Sequence, residues 1–257
     1  MNFPSLHTQS TPLLIANVWD VASAKAAQRA GYAAVGTSSA ALADMYGYAD
    51  GDGLSFQEVR HLVQRLRACC TLPLTVDMEH GYGNSAEAVM GHLVELAELG
   101  VAGVNLEDSL VEHGQRRLRE SAEFAELLRA CRQHLDKKRL SLFINVRTDT
   151  FLSGIKNARE STIARGLLYA EHGADGLFVP CITQPADIEA VIAAVPLPLN
   201  VMCMPALPSF ATLTALGVKR ISMGNALHQQ SLGSSERLFS AILKNQSFET
   251  VFAHADV

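Results

Sequence analysis

The sequence predicts a (β/α)8 barrel, and three observations carry that prediction. Short apolar or β-branched runs alternate with longer stretches of helical period along the whole chain, with no linker or low-complexity segment between them. Eight such strand-helix units fit into 257 residues; a closed barrel has that size, whereas an open doubly wound sheet more often has about five to seven strands. The first strand is followed by NVWDVASA rather than GxGxxG, so no dinucleotide site of the Rossmann kind is indicated.

Taken in order, the strand candidates are LLIANVWD (13–20), YAAVGTSS (32–39), LPLTVDME (72–79), AGVNLED (102–108), LSLFINVRTD (140–149), ADGLFVPCI (174–182), PLNVMCM (198–204) and VKRISMGN (218–225). Each is a short apolar or β-branched run of the kind that forms a buried strand. Between them, SFQEVRHLVQRLRACC places Val59, Leu62, Val63 and Leu66 at helical spacing, and SAEAVMGHLVELAELG does the same with Ala86, Val89, His92, Leu93 and Leu96. Several helices stop at a glycine just before the next strand, in RAGYAAV, ELGVAGV, EHGADGL and ALGVKRI, the pattern of a glycine C-cap. Strand-helix units in series imply parallel strands joined by right-handed crossovers. Residues 1–257 are therefore expected to form one barrel domain, with a C-terminal helical segment from about 226 to 257 taking part in subunit packing.

Composition narrows the function classes. The net charge of -5 and pI near 6.0 come without a long basic run, so neither nucleic acid nor an anionic membrane is an expected partner. The opening MNFPSLHTQSTPLL has neither a basic nor a long apolar region of the signal-peptide kind, and a cytoplasmic location is expected. The five cysteines are odd in number and lack CxxC spacing, which argues against a disulfide framework and a structural zinc site. A small molecule or another copy of the chain remains as partner.

In a barrel the chemistry sits at the C-terminal ends of the strands. Here those ends are loaded with charge: Asp77 and Glu79 after strand three, Glu107 and Asp108 after strand four, Arg147 and Asp149 after strand five. In an extended strand Asp77 and Glu79 would share a face, and two like charges so close call for a cation or a shared proton. Acids of strands three and four, with Asp50 in the loop after strand two, can surround one hard divalent ion. Oxygen donors without histidine at ligand spacing point to Mg2+ or Mn2+ rather than zinc. Asp108 should point away, toward a structural partner. Arg147 reads as an anion clamp, with pairing to Asp149 as the alternative.

DMEHGYGN, GVNLED and INVRTD, in that order on strands three, four and five, resemble the isocitrate lyase and phosphoenolpyruvate mutase superfamily, whose pattern is DxDxGYG, GxxLED and ARTDA. The likeness runs from NVWDVASA through GTSSAALADMYGYADG to LGVKRISMGNAL. It implies a (β/α)8 barrel assembled as a homodimer or homotetramer, often with a helix exchanged between subunits. It also implies Mg2+ or Mn2+ held directly by Asp77, with Asp50, Glu79 and Glu107 reaching it largely through water. Ser38, Ser39 and Arg147 match positions that hold the carboxylate or oxyanion of a small 2-oxo or 2-hydroxy acid. Two departures stand out. Glu79 replaces the usual aspartate, and SLVEHGQRRLRES replaces the KKCGH loop of the lyases, leaving His113, Gln115, Arg116 and Arg117 as substitutes. The phosphonate-processing members carry a lysine and an asparagine there, and neither occurs between Glu107 and Glu123.

The expected activity is a metal-dependent C-C cleavage or decarboxylation through an enolate, with Arg147 and His113 as catalytic residues. P-C bond chemistry on phosphonopyruvate is the alternative, and a non-catalytic metabolite-binding barrel the alternative of another class. Residues 109–120 are expected to be a mobile loop over the site.

Overall fold

A computed structural model describes residues 2–51, 53–112 and 114–253. The barrel strands are β1 (Leu13–Val18), β2 (Ala34–Thr37), β3 (Leu74–Asp77), β4 (Gly103–Glu107), β7 (Phe143–Arg147), β8 (Gly176–Phe178), β9 (Leu199–Met202) and β10 (Arg220–Ser222). They close in the order β1-β10-β9-β8-β7-β4-β3-β2, every pair parallel. All eight expected strands are present, each shorter than its apolar run because the ladder stops where the chain turns outward.

Local chemistry starts the helices between them. Asp20 caps α1 (Val21–Arg29) in a reciprocal box with Ser23, and Ser55 with Glu58 does the same for α3 (Phe56–Cys69). Ser38 opens α2 (Ser39–Tyr46) and Ser85 opens α4 (Ala86–Glu98). Helices α5 (Ser121–Lys137), α6 (Ala158–Glu171), α7 (Pro185–Ala194) and α8 (Phe210–Leu216) complete the ring. Their apolar faces meet the outward residues of the strands: Val59, Leu62, Val63 and Leu66 of α3 are all buried, as the periodicity predicts.

The barrel interior is layered. At its base Leu13, Ile15, Ala34 and Phe143 pack with Phe3 and Leu6 of the N-terminal segment. The turn of 3-10 helix at Pro4–His7 closes that end, His7 stacking on Phe143 at 4.2 Å. Above it lies a polar layer of Asn105, Asn145, Asn200 and Arg220, and above that the charged strand ends.

One feature departs from expectation. Residues 109–118 form a hairpin, β5 (Ser109–Glu112) against β6 (Gln115–Leu118), with Ser109 opposite Leu118 and Glu112 opposite Gln115. Gly114 supplies the positive φ of +73° that so tight a reversal requires. Polar side chains along this run made it look like an irregular loop. The C-terminal segment is helical from residue 226: α9 (Ala226–Asn245) buries only His228, while Phe239, Leu243, Phe248 and Phe252, on α9, on α10 (Glu249–Phe252) and at its N-cap, stay exposed.

Candidate active site

The C-terminal strand ends converge on a cavity of about 230 Å3, lined by Ser38, Ser39, Asp50, Asp77, Asn105 and Arg147, with Phe178 and Met202 on an apolar wall. Register brings these groups together: Asp77 lies beside Asn105, and Glu107 beside Arg147. A larger open groove of about 640 Å3 runs outside, between α4, α5 and the hairpin, and holds His80 and Arg119 but none of the converging acids.

Asp77 is buried and held from one side. Its Oδ2 accepts the backbone N-H of Ser39 at 3.1 Å and the Ser39 hydroxyl at 2.8 Å, while its own N-H donates to Thr37 Oγ1 at 2.9 Å. Oδ1 is sealed from solvent and has no hydrogen-bond partner among the described residues. Ser39 therefore orients Asp77, whereas Ser38 caps α2 through Ala41 N-H at 3.4 Å and keeps its hydroxyl proton for the cavity.

Glu79 joins Asp77 by a different route from the one alternation implies. β3 ends at Asp77, and Glu79 stands beyond it with a φ of +46°. Met78 N-H bonds Asn105 O at 3.0 Å, Gly81 N-H bonds Met78 O at 2.7 Å and Glu107 N-H bonds Glu79 O at 2.8 Å. These bonds clamp a turn that an unsupported glutamate would avoid. Burial, then the charges of Asp77, Glu107 and Asp50, push the Glu79 carboxyl up to about 8.

Glu107 sits among cations. Its Oε1 accepts from Arg116 Nη1 at 2.5 Å and from Ser109 Oγ at 3.0 Å. Arg147 grips Asp149 through Nε at 2.6 Å and Nη2 at 3.1 Å, and its Nη1 lies 3.1 Å from Glu107 Oε2, out of line for a hydrogen bond. The pairing with Asp149, the alternative of the sequence analysis, is present, and Arg147 also lines the cavity. Burial raises the Glu107 carboxyl despite the opposing Arg147 charge. Arg116, carried in by β6, also reaches Asp149 at 3.0 Å and Asp50 at 3.6 Å.

Asp108 points away, as expected. It accepts from Thr148 Oγ1, Arg165 Nη1 and the Tyr169 hydroxyl, each at 2.8 Å. His113 lies outside the described residues.

The donor set fits a hard divalent ion. Asp77 Oδ1, Glu79 Oε1 and Glu107 Oε2 are all buried without a partner in good hydrogen-bond geometry, and Asp50, Asp77, Glu79, Glu107 and Asp149 outnumber Arg116 and Arg147. Among the described residues no three acidic, histidine or cysteine side chains converge tightly enough to form a cage by themselves.

Residues 3–243 match the family model described as phosphoenolpyruvate phosphomutase. The chain belongs to the phosphoenolpyruvate phosphomutase family. Its relatives include the 2-methylisocitrate lyase of Escherichia coli K12, 30% identical over 82% of this chain and 72% of the lyase. The oxaloacetate decarboxylase of Paraburkholderia xenovorans LB400 is 31% identical over 84% of this chain and 71% of that protein. A candidate phosphonomutase of Burkholderia cenocepacia J2315 is 38% identical, covering 93% of this chain and 97% of its own, with a TM-score of 0.86. The chain is accordingly an enzyme of the phosphoenolpyruvate phosphomutase family, and these relatives span more than one reaction.

Sequence reasoning looked at strand ends and missed the row beneath them. Asn17, Asn105, Asn145, Asn200 and Arg220 are buried polar residues inside apolar strands. Asn105 and Asn145 stand two positions before Glu107 and Arg147, hence on the same inward face, which was the available signal.

Proposed function

We propose that the protein is a Mg2+- or Mn2+-dependent lyase that cleaves a C-C bond of, or decarboxylates, a small 2-oxo or 2-hydroxy acid. The observation that carries this reading is a cavity lined by Asp77, Asp50 and Arg147, with Glu79 and Glu107 buried beside it and Asp77 Oδ1 left without a hydrogen-bond partner. Asp77 would hold the ion directly, with Glu79, Glu107 and Asp50 orienting its water. When bound, the ion would supply Lewis acidity toward the substrate's oxygens. Arg147 Nη1 and the Ser38 hydroxyl would hold the carboxylate and stabilise the charge that develops on the enolate oxygen. For a 2-oxo acid the electron pair of the breaking bond stays on the 2-oxo fragment as its enolate; for a 2-hydroxy acid the hydroxyl gives up its proton and becomes the carbonyl while the electron pair passes to the other fragment, and in either case the carbanion formed must then take up a proton. The wall of Phe178 and Met202 restricts water around that carbon.

P-C chemistry on a phosphonate is the second reading, favoured by the likeness to the candidate phosphonomutase. Against it, the hairpin has no lysine or asparagine between Glu107 and Glu123. A turnover screen of 2-oxo, 2-hydroxy and phosphono acids with Mg2+ and Mn2+, reading pyruvate, glyoxylate, CO2 and phosphate, separates the two. Asp77→Asn is the control: it should stay folded and lose Mg2+ binding and turnover together. Phosphate as the only product would favour the second reading, and no turnover of any acid would remove the lyase assignment.

The proposal extends to a homo-oligomer. The exposed Phe239, Leu243, Phe248 and Phe252 form an apolar face of the kind that subunit contacts cover. Sedimentation would show a dimer or tetramer, and a monomer would exclude it. No helix among the described residues is long and apolar enough to cross a membrane.

A further inference from the structure

The cavity floor contains an amide whose orientation is fixed from below. Asn105 lines the cavity and is 8% exposed. Its Oδ1 accepts two donors, Asn145 Nδ2 at 2.9 Å and Arg220 Nη2 at 3.3 Å. Arginine has no acceptor, so the group that faces Arg220 must be the oxygen, and the amide cannot turn over without placing N-H against N-H. Asn145 cannot turn over freely either, because its Nδ2 also donates to Asn200 Oδ1 at 3.0 Å, and Asn200 Nδ2 in turn donates to Ser222 Oγ at 3.1 Å. Among the described residues Asn105 Nδ2 makes no hydrogen bond, yet it is not among the sealed-off atoms. It therefore presents its N-H groups to the cavity.

Arg220 is itself unusual. It is 1% exposed, its Nε and Nη1 have no hydrogen-bond partner, and no carboxylate among the described residues forms an ion pair with it. Arg147 and Arg116, by contrast, are each neutralised by a carboxylate. A buried, unpaired cation beneath the floor directs positive potential toward whatever anion sits above it.

We propose that Asn105 is a substrate-binding residue, its Nδ2 donating to an anionic oxygen of the small acid, and that Arg220 is the positioning residue that locks the amide in that orientation. The inference rests on the proposed function, since it takes the cavity as the seat of a small carboxylate. A neutral amide N-H2 is no ligand for a cation, so this donor serves the anion and Asp77 beside it serves the ion.

Oxalate, a mimic of the pyruvate enolate, is the probe. In a crystal of the protein with Mg2+ and oxalate, Asn105 Nδ2 should lie within about 3.2 Å of an oxalate oxygen. By calorimetry, Asn105→Ala and Arg220→Met should weaken oxalate binding about tenfold or more, while Mg2+ alone binds at least as tightly as before. Arg220→Lys, which keeps a charged donor, should recover part of the loss. General damage to the barrel would weaken both ligands, so the split is diagnostic. Unchanged oxalate affinity in folded Asn105→Ala overturns the inference, as does an amide turned away from oxalate in the crystal, which decides the matter even where a variant fails to fold. Wild-type protein that binds no oxalate with Mg2+ would overturn the proposed function, and this inference with it.

Discussion

Replacing Glu79 by glutamine should remove a large part of the pH dependence of stability. The Glu79 carboxyl is 6% exposed and lies against Asp77 and Glu107, and its ionisation moves from 4.5 to about 8. Because the folded protein holds this proton to higher pH than the unfolded chain does, stability is greatest below pH 4.5 as far as this group is concerned, and falls as pH rises toward 8. At about 1.4 kcal/mol per pH unit, the span of about 3.5 pH units corresponds to a loss of up to about 5 kcal/mol, and of about 3 kcal/mol by pH 7. Urea denaturation in EDTA between pH 5 and pH 9 measures it: wild-type protein should lose stability steadily, Glu79→Gln much less, and Mg2+ should restore the wild type at high pH. A wild-type curve that is flat from pH 5 to pH 8, or a Glu79→Gln curve with the wild-type slope, would refute the assignment of Glu79 as a carboxyl held protonated by burial and by its neighbours' charge.

Three other outcomes are expected. Ser39→Ala removes the hydroxyl that orients Asp77, and Mg2+ affinity measured by calorimetry should fall about tenfold with the fold intact. Asp108→Ala leaves Arg165 and Tyr169 without their shared carboxylate, and urea denaturation should register a loss of about 3 kcal/mol or more. Arg116→Ala unties β6 from Glu107, Asp149 and Asp50, so limited proteolysis within 109–118 should accelerate by at least about tenfold; an unchanged cleavage rate would mean that the backbone pairing of β5 with β6 holds the hairpin without it.

The sequence by itself determined the barrel, because strand and helix periods and glycine stops are local properties that eight successive units repeat. It also determined which side chains stand at the active end: Asp77, Glu107 and Arg147 close apolar strands, and parallel register then sets Glu107 beside Arg147 without further information. The outward turn of Asp108 followed from alternation alone. Tertiary structure decided what alternation cannot express. Glu79 reaches the acids through a left-handed turn clamped by hydrogen bonds with β4, a dependence on a segment 27 to 28 positions away in sequence. Arg116 enters the site because β5 and β6 pair, which no apolar pattern announces. Arg220 and Asn105 meet across the barrel, 115 positions apart, because closing the sheet puts their inward faces on one layer. A sequence specifies side-chain direction within one element, whereas partner, distance and electrostatic environment arise only when separate elements share the same buried volume.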